Sequence, residues 1–591
     1  MGKLGYTAAP IRDERKEADR IKLSQPILAI IGNPPYWRFE GVNSHEIVGR
    51  FVEGLWEDLK APVRDAGWAN QLNTFPEFSI AFWRWALWKL FEADNAPQKG
   101  VITFISNRTF LAGKPYAGLR KMLRERFDRI EIIDLRGDLR KGARAGVHGD
   151  TGVFNIKVGT AITLAIADGS KAEGALAEVT YTDTWEEGLF PREAKLQWLQ
   201  AGARAGTRPG GVPVNRAPLD PLRPPAFGSV NWPPLSAIFG FFLSGLQTKR
   251  DHFIYAVVKP RLIERLRDFK DSDDDEARLA FHDSRDRKWN VARAQPIEEH
   301  RVIPAAYRPL DRRYLYNHPA FGDFLRPSLQ QAWGASNVGL YAMPFGTGSG
   351  PAVWCHSLLP DYHSFSGRGG YAFPLYDRRP GHGPLNISSE LLDNLALAFA
   401  SPVAPDDAFD AILALLSASS YTLRFAEDLE DAFPHVPFPA DRAVFERAAK
   451  VGAAIRELET FARPPNSAHL PSSLASFETT PNGRLAPSEW DDGMITLCKN
   501  GSGKVIGIPA AVWDFAVSGY RVLPRWLTAR EGLQVDHAFV KEFRDINGRI
   551  NELIHHFDAA DLVLQEALKH SLTRDELGLA PAPSEDEDEQ V

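Results

Sequence analysis

Hydrophobic positions in the first third of the chain come in short runs separated by amphipathic stretches. Residues 27–32 (ILAIIG) are apolar, rich in isoleucine, and end at Asn33-Pro34-Pro35. A run of this length without alternation, stopped by residues that cannot extend a ladder, predicts a buried parallel strand. A helix is predicted over residues 76–92 (PEFSIAFWRWALWKLFE), a second buried strand over 101–106 (VITFIS) and an amphipathic helix over 113–127. Residues 129–135 (RIEIIDL) and 159–167 (GTAITLAIA) predict two further strands. Strands alternating with helices indicate an α/β unit on a largely parallel sheet.

The pattern changes near residue 206. Residues 206–235 are dense in proline and lack a period, which predicts a linker or a wrapping connection. Aromatic, proline and glycine residues then dominate to about residue 385, with short strand-like runs. Helical periodicity returns over 388–417 and 440–461. A hairpin turning at Asn500-Gly501 is predicted over 494–508, and a last helix over 535–572. The expected organisation is a first domain over 1–205, a linker over 206–235, a mixed α+β region over 236–575 and an acidic disordered tail over 576–591.

Composition limits the class of protein. The 591 residues are 44% hydrophobic and 25% charged, ordinary values for a globular chain. No run suits a membrane span, the first residues lack the apolar core of a signal peptide, and two cysteines, Cys355 and Cys498, cannot staple a fold. A reducing cytoplasm is the expected setting. The net charge of −7 weighs against nucleic acid as a partner only globally, because much of the acid sits in residues 271–276 (DSDDDE) and 585–589 (EDEDE). Both are expected to be solvated or disordered. Between Arg120 and Arg144 nine Lys/Arg accompany five Asp/Glu, which predicts a local basic patch.

The motif that carries chemistry is Asn33-Pro34-Pro35-Tyr36, directly after the first strand. The exocyclic amine of adenine is a poor nucleophile because its lone pair is delocalised into the ring. Two rigid acceptors aimed at its N–H bonds would hold it as it becomes more tetrahedral and positive. The Asn33 side-chain carbonyl and the Pro34 main-chain carbonyl can supply them, with two prolines limiting the backbone. Tyr36 offers a face for a flipped base. The bland alternative is a turn after a strand; its place at a strand's carboxyl end favours a site.

The longer stretch 30–42 (IIGNPPYWRFEGV) resembles DNA amino-methyltransferases, specifically Type ISP restriction-modification enzymes. In that family one polypeptide joins nuclease, helicase, methyltransferase and target-recognition parts. The resemblance continues, in order, through 100–142, 153–166 (VFNIKVGTAITLAI), 245–253 (GLQTKRDHF), 307–317 (YRPLDRRYLYN) and 519–532 (GYRVLPRWLTAREG). It implies an α/β fold in which a partial Rossmann-like methyltransferase sheet precedes a mixed α+β target-recognition region. It further implies that Asn33, Pro34, Pro35 and Tyr36 bind and activate a target adenine, with S-adenosylmethionine as methyl donor. Phe154 would face the other side of the base, although a phenylalanine before a strand is also an ordinary core residue. Ser106 and Asn107 would line the site, or simply end a strand.

Two departures qualify the resemblance. The family's cofactor-binding glycine motif does not precede Asn33, so the cofactor half is expected from a separate upstream subunit, or the chain is a truncated product. The first strand would then carry an unpaired apolar edge. Residues 73–78 (NTFPEF) also differ from the family's Asp-Leu-Tyr-like segment.

For DNA recognition the candidates are Gln247, Thr248, Lys249 and Arg250, together with Arg308, Arg312 and Arg313 among three tyrosines. Lysine and arginine suit phosphates, and Gln and Arg can read base edges. Each can equally be a structural ion pair or a solvated charge. Gly501-Ser502-Gly503-Lys504 lacks the residues of a phosphate loop and reads as a hairpin turn. Residues 344–351 (PFGTGSGP) read as a flexible loop, and Cys355, His356 and His363 lack metal spacing. Helicase and nuclease motifs are not found, so restriction would need other subunits.

Three readings result. The first is a site-specific adenine-N6 DNA methyltransferase of a restriction-modification or phage-defence system, as a split subunit. The second is a DNA-specificity subunit without chemistry. The third, a protein-glutamine methyltransferase, fits poorly with so large a carboxyl-terminal region.

Overall fold

In a computed structural model the chain is described over residues 13–21, 25–36, 47–137, 150–224 and 231–579, apart from 70, 71, 73–77, 155, 157, 186, 208, 209, 215, 216, 366–368, 427, 431 and 467–469. It divides into two compact units, residues 1–225 and 226–591.

The apolar runs of the first unit become β1 (Ala29–Gly32), β2 (Gly100–Asn107), β3 (Arg129–Asp134) and β4 (Thr160–Ala167), joined by β5 (Glu178–Asp183) and β6 (Val212–Pro213). They form one sheet in the order β1-β2-β4-β3-β5-β6. The amphipathic stretches become α1 (Ile47–Asp65), α2 (Phe78–Phe91), α3 (Ala117–Arg126) and α4 (Arg192–Ala205). Trp83, Leu87 and Leu90 of α2 and Leu119 and Leu123 of α3 are buried in one core with Ile102 and Phe104 of β2.

Two expectations are corrected here. The sheet is mixed rather than largely parallel: β1 and β2 are parallel, as are β3 and β5, but β4 runs antiparallel to both its neighbours. A buried apolar run reads the same in either direction, so its period predicts a strand without predicting which way it pairs. Secondly, β1 is not buried on both faces. It lies at the end of the strand order, with Ile31 81% and Leu28 60% exposed. An open apolar edge is thus present among the described residues.

The proline-dense segment wraps the first unit. Its residues 212–213 supply β6, Leu222 is buried, and Arg120 and Arg124, both buried, donate to main-chain carbonyls of 218–221. The basic patch expected over residues 120–144 is therefore partly spent inside the fold. Arg129 pairs with Asp168 and Arg136 with Asp183. Residues 138–144 lie outside the described residues, as do 73–77, 37–46 and the tail 580–591.

In the second unit, β8 (Tyr255–Ala256), β9 (Val302–Arg308) and β10 (Asp311–Tyr316) form a small antiparallel sheet ordered β8-β10-β9. A four-stranded sheet has the order β12-β11-β13-β7, from β7 (Leu243–Ser244), β11 (Gly339–Ala342), β12 (Val353–His356) and β13 (Tyr371–Pro374). Helices α5 (Pro405–Ser417), α6 (Arg442–Glu459) and α7 (His537–Ala567) pack into the largest core. The helices α5 and α6 approach closely at Gly452, where a Cβ would stand 1.7 Å from the Asp410 carbonyl oxygen. The expected hairpin forms, with Ile495 opposite Val505 and Gly501 at positive φ in the turn.

Residues 271–276 are not a disordered run. Asp273 accepts from the amides of Asp275 and Glu276 and caps a helix over Asp274–Phe281, where acidic residues suit the helix dipole. The glycine-rich loop 344–351 is pinned rather than loose: Gly348 donates to Ser518 Oγ, and Gly519 donates to the Ser349 carbonyl.

Candidate functional site

Because β1 and β2 are parallel, their carboxyl ends share one edge of the sheet, and residues 33–36 continue directly from β1. Pro34 is buried and Asn33 exposed, so the rigid dipeptide anchors a side chain that faces outward. The Tyr36 hydroxyl donates to Asn33 Oδ1 at 2.6 Å and lies 3.2 Å from the Ile105 carbonyl of β2. The Asn33 carbonyl oxygen has two lone pairs and keeps room for a second donor. Burial pushes the Tyr36 phenol up to about 12, so at neutral pH it is a protonated donor.

Phe154 lies beside this motif, its ring centroid 6.2 Å from that of Tyr36 with 40° between the planes. A base between two parallel rings needs two contacts of about 3.5 Å each, so these rings would separate by about 1 Å and align. At the end of β2, Ser106 is buried and its hydroxyl has no hydrogen-bond partner among the described residues. Asn107 accepts from the Thr109 amide at 3.0 Å and caps a short turn, the role of a residue that ends a strand. Three separate sequence segments are thus represented, by Asn33 and Tyr36, by Phe154 and by the end of β2; the Ile105 carbonyl, a main-chain group, left no signal in the sequence.

The recognition candidates divide sharply. Arg250 is fully buried: it donates to Asp323 Oδ1 at 2.5 Å and to the Phe321 carbonyl at 3.1 Å, and it stacks on Phe281. Thr248 is buried against Asp251. Arg308 pairs with Asp361 at 2.7 Å, Arg313 pairs with Asp311 at 2.8 Å, and both guanidiniums lie over the Tyr307 ring. Arg312 donates to the Thr460 carbonyl and stacks on Phe461; burial, then Arg549, lowers its pKa to about 10. The expectation that these arginines and Thr248 face DNA is corrected for Thr248 and Arg250, whose polar atoms are enclosed. Arg308, Arg312 and Arg313 are held by internal partners. Gln247 and Lys249 remain at the surface.

A family model for the Type ISP C-terminal specificity domain matches residues 237–555, more than half of the chain. The chain belongs to the Type ISP C-terminal specificity domain family. This specificity domain lies within the second unit. No curated protein matches the sequence. Among solved structures the chain is similar to the ATP-dependent Type ISP restriction-modification enzyme LlaBIII bound to DNA, at 18% identity and a TM-score of 0.56, over 93% of this chain and 38% of that one. A nuclease-deletion mutant of the Type ISP enzyme LlaGI, in complex with a DNA substrate mimic, matches at 18% and 0.55 over 95% of this chain and 46% of that one. The DrdV–DNA complex matches at 18% and 0.53, over 94% and 58%. The chain therefore spans less than half the length of the first two, and at this identity the likeness is one of fold. Among the described residues no helix is long and apolar enough to cross a membrane.

Proposed function

We propose that this chain carries the adenine-binding and DNA-specificity parts of a Type ISP-like adenine-N6 DNA methyltransferase, acting in the cytoplasm as part of a restriction-modification or phage-defence system. The observation that supports this most is the cluster of Asn33, Tyr36 and Phe154 at the shared carboxyl end of β1 and β2. In this reading a flipped adenine enters between the Tyr36 and Phe154 rings. Its amine donates to Asn33 Oδ1 and the Pro34 carbonyl, which orient it without removing a proton beforehand. Tyr36 keeps its hydroxyl bond to Asn33, which fixes the amide so that its oxygen, rather than its nitrogen, faces the base. The first unit's sheet would be part of a Rossmann-like methyltransferase sheet.

S-adenosylmethionine would supply the methyl group. The residues at the carboxyl ends of β1 and β2, Asn33, Pro34, Tyr36, Ser106 and Asn107, suit an adenine and include no carboxylate for the ribose or ammonium of the cofactor; Asp134 and Asp183, at the ends of β3 and β5, are engaged by Arg108 and Arg136. We therefore assign the cofactor to residues beyond the open β1 edge, on a separate subunit or another part of the enzyme. Duplex DNA is the proposed substrate; helicase and nuclease functions would come from further subunits or regions.

A second reading has its own support. The family match covers the specificity domain alone, so a DNA-specificity subunit without chemistry also agrees with it. Methyl transfer from labelled S-adenosylmethionine to DNA, with this chain alone and with candidate partner polypeptides, separates the two. The expected result is transfer that Asn33→Ala abolishes while DNA binding persists. Transfer unaffected by that substitution would refute the adenine site; binding without transfer in every combination would favour the specificity subunit.

A further inference from the structure

Lys249, at φ 56°, and Arg326, at φ 48°, are among the non-glycine residues of the second unit that adopt left-handed backbone conformations. Such conformations are uncommon for residues with long side chains and persist where the surroundings enforce them. The enforcing contacts are visible. Gln247 and Phe324 exchange main-chain hydrogen bonds of 3.0 and 2.9 Å, and the buried Arg250–Asp323 pair ties the same two segments together immediately beneath. The result brings Lys249, Phe324 and Arg326 into one cluster, although they come from segments distant in sequence.

The chemistry of the cluster is unusual for a protein of net charge −7. The Phe324 ring is 36% exposed, with Lys249 Nζ 4.9 Å and the Arg326 guanidinium carbon 5.1 Å from its centroid. Among the described residues Arg326 has no carboxylate or hydrogen-bond acceptor, and its Nε is buried without a partner. Burial lowers its pKa, and only the phenols of Tyr371 and Tyr362 oppose that effect. Lys249 approaches Asp323 at 3.7 Å, a carboxylate already engaged by Arg250. A fold that leaves a guanidinium half-desolvated and unpaired has left a donor set for an external anion, since an unmet charged donor is destabilising on its own.

Resting on the reading of the second unit as a DNA-specificity domain, we infer that Arg326 and Lys249 clamp the phosphodiester backbone of duplex DNA, with Phe324 packing against the intervening sugar. Arg250 is the positioning residue: it holds both cations from below and does not touch DNA. The clamp fixes the register of the domain on the duplex and carries no sequence information itself.

The test is equilibrium binding of the full chain to two fluorescent duplexes of unrelated sequence, over a salt series, with wild type, Arg326→Ala and Arg326→Lys. Each lost phosphate contact lowers the slope of log affinity against log salt by about 0.9. Arg326→Ala is expected to weaken binding about tenfold on both duplexes and to flatten the slope by about one such contact, with Arg326→Lys retaining the slope. Circular dichroism and thermal melting check that each variant is folded; Phe324→Leu provides a second variant, expected to weaken binding without altering the slope. Wild-type binding with an Arg326→Ala variant of equal affinity and slope overturns the clamp while leaving the DNA-specificity reading intact. Loss confined to one duplex overturns a backbone contact in favour of base reading. Absence of wild-type binding to any duplex overturns both the clamp and that reading.

Discussion

Replacing Arg250 by methionine is the sharpest check on the architecture of the specificity domain. In the wild type the guanidinium is buried, bonded to Asp323 at 2.5 Å and to the carbonyls of Phe321 and His282 at 3.1 and 3.2 Å. Methionine keeps much of the packing but leaves the Asp323 carboxylate, whose side chain is fully enclosed, without its main partner. Breaking one half of a buried pair destabilises by about 3–5 kcal/mol, whereas removing both halves together is often nearly neutral. Urea denaturation followed by circular dichroism should therefore show a loss of that size for Arg250→Met, and recovery of most of it in the double variant Arg250→Met with Asp323→Leu. Burial opposes ionisation of Asp323, but hydrogen bonds from Arg250 and Ser284, with the charges of Arg250 and Lys249, outweigh it and hold the carboxyl below its ordinary range. A depressed carboxylate contributes stability above its unfolded pKa of about 3.9 and loses it as pH falls through the folded value. The wild-type advantage over Arg250→Met should accordingly shrink below about pH 4. A single variant destabilised by less than about 1 kcal/mol, with DNA binding abolished, would refute the structural role and return Arg250 to the DNA surface.

Three further outcomes can be measured on the isolated chain. Gly452→Ala would force the α5–α6 contact apart, because its Cβ meets main chain at 1.7 Å; a loss of about 1–3 kcal/mol is expected in urea denaturation. Gly54→Ala, in an exposed helical position with nothing within 4 Å of the new Cβ, should instead be neutral or stabilising by up to about 1 kcal/mol. His356 and His435 are kept neutral by burial, then by Arg312 and Arg574 respectively, with pKa values lowered to about 3 and about 4. The unfolded chain binds more protons than the folded one below the ordinary histidine value of about 6.5, so stability should fall as pH is lowered from there toward 4. His356→Gln should make that fall shallower; an unchanged slope would count against a buried neutral imidazole.

Much of the first unit was legible in the sequence because strands and helices announce themselves by period. The runs over 101–106, 129–135 and 159–167 fold as β2, β3 and β4 within a residue or two. What period cannot encode is pairing direction: β4 enters the sheet antiparallel to both of its neighbours, a choice made by tertiary contacts. The acidic residues 271–276 are solvated as their charge suggests, and what the sequence left open is that they are ordered, with Asp273 placed to cap a helix.

The candidate site shows the same division. The motif Asn33-Pro34-Pro35-Tyr36 is local, so the sequence by itself determined its residue types, its rigidity and its place after a strand. Only tertiary structure brought Phe154 within 6.2 Å of Tyr36 and gave the Tyr36 hydroxyl its two acceptors. The arginines of the specificity domain were beyond sequence reading, because a guanidinium suits a phosphate, a carboxylate or a row of main-chain carbonyls equally well. Arg250 is decided by Asp323, 73 residues away in the chain, and Arg326 by having no such partner among the described residues. Residue chemistry sets what each side chain can bind; burial and long-range neighbours, which exist only in the folded chain, decide which of those partners it meets.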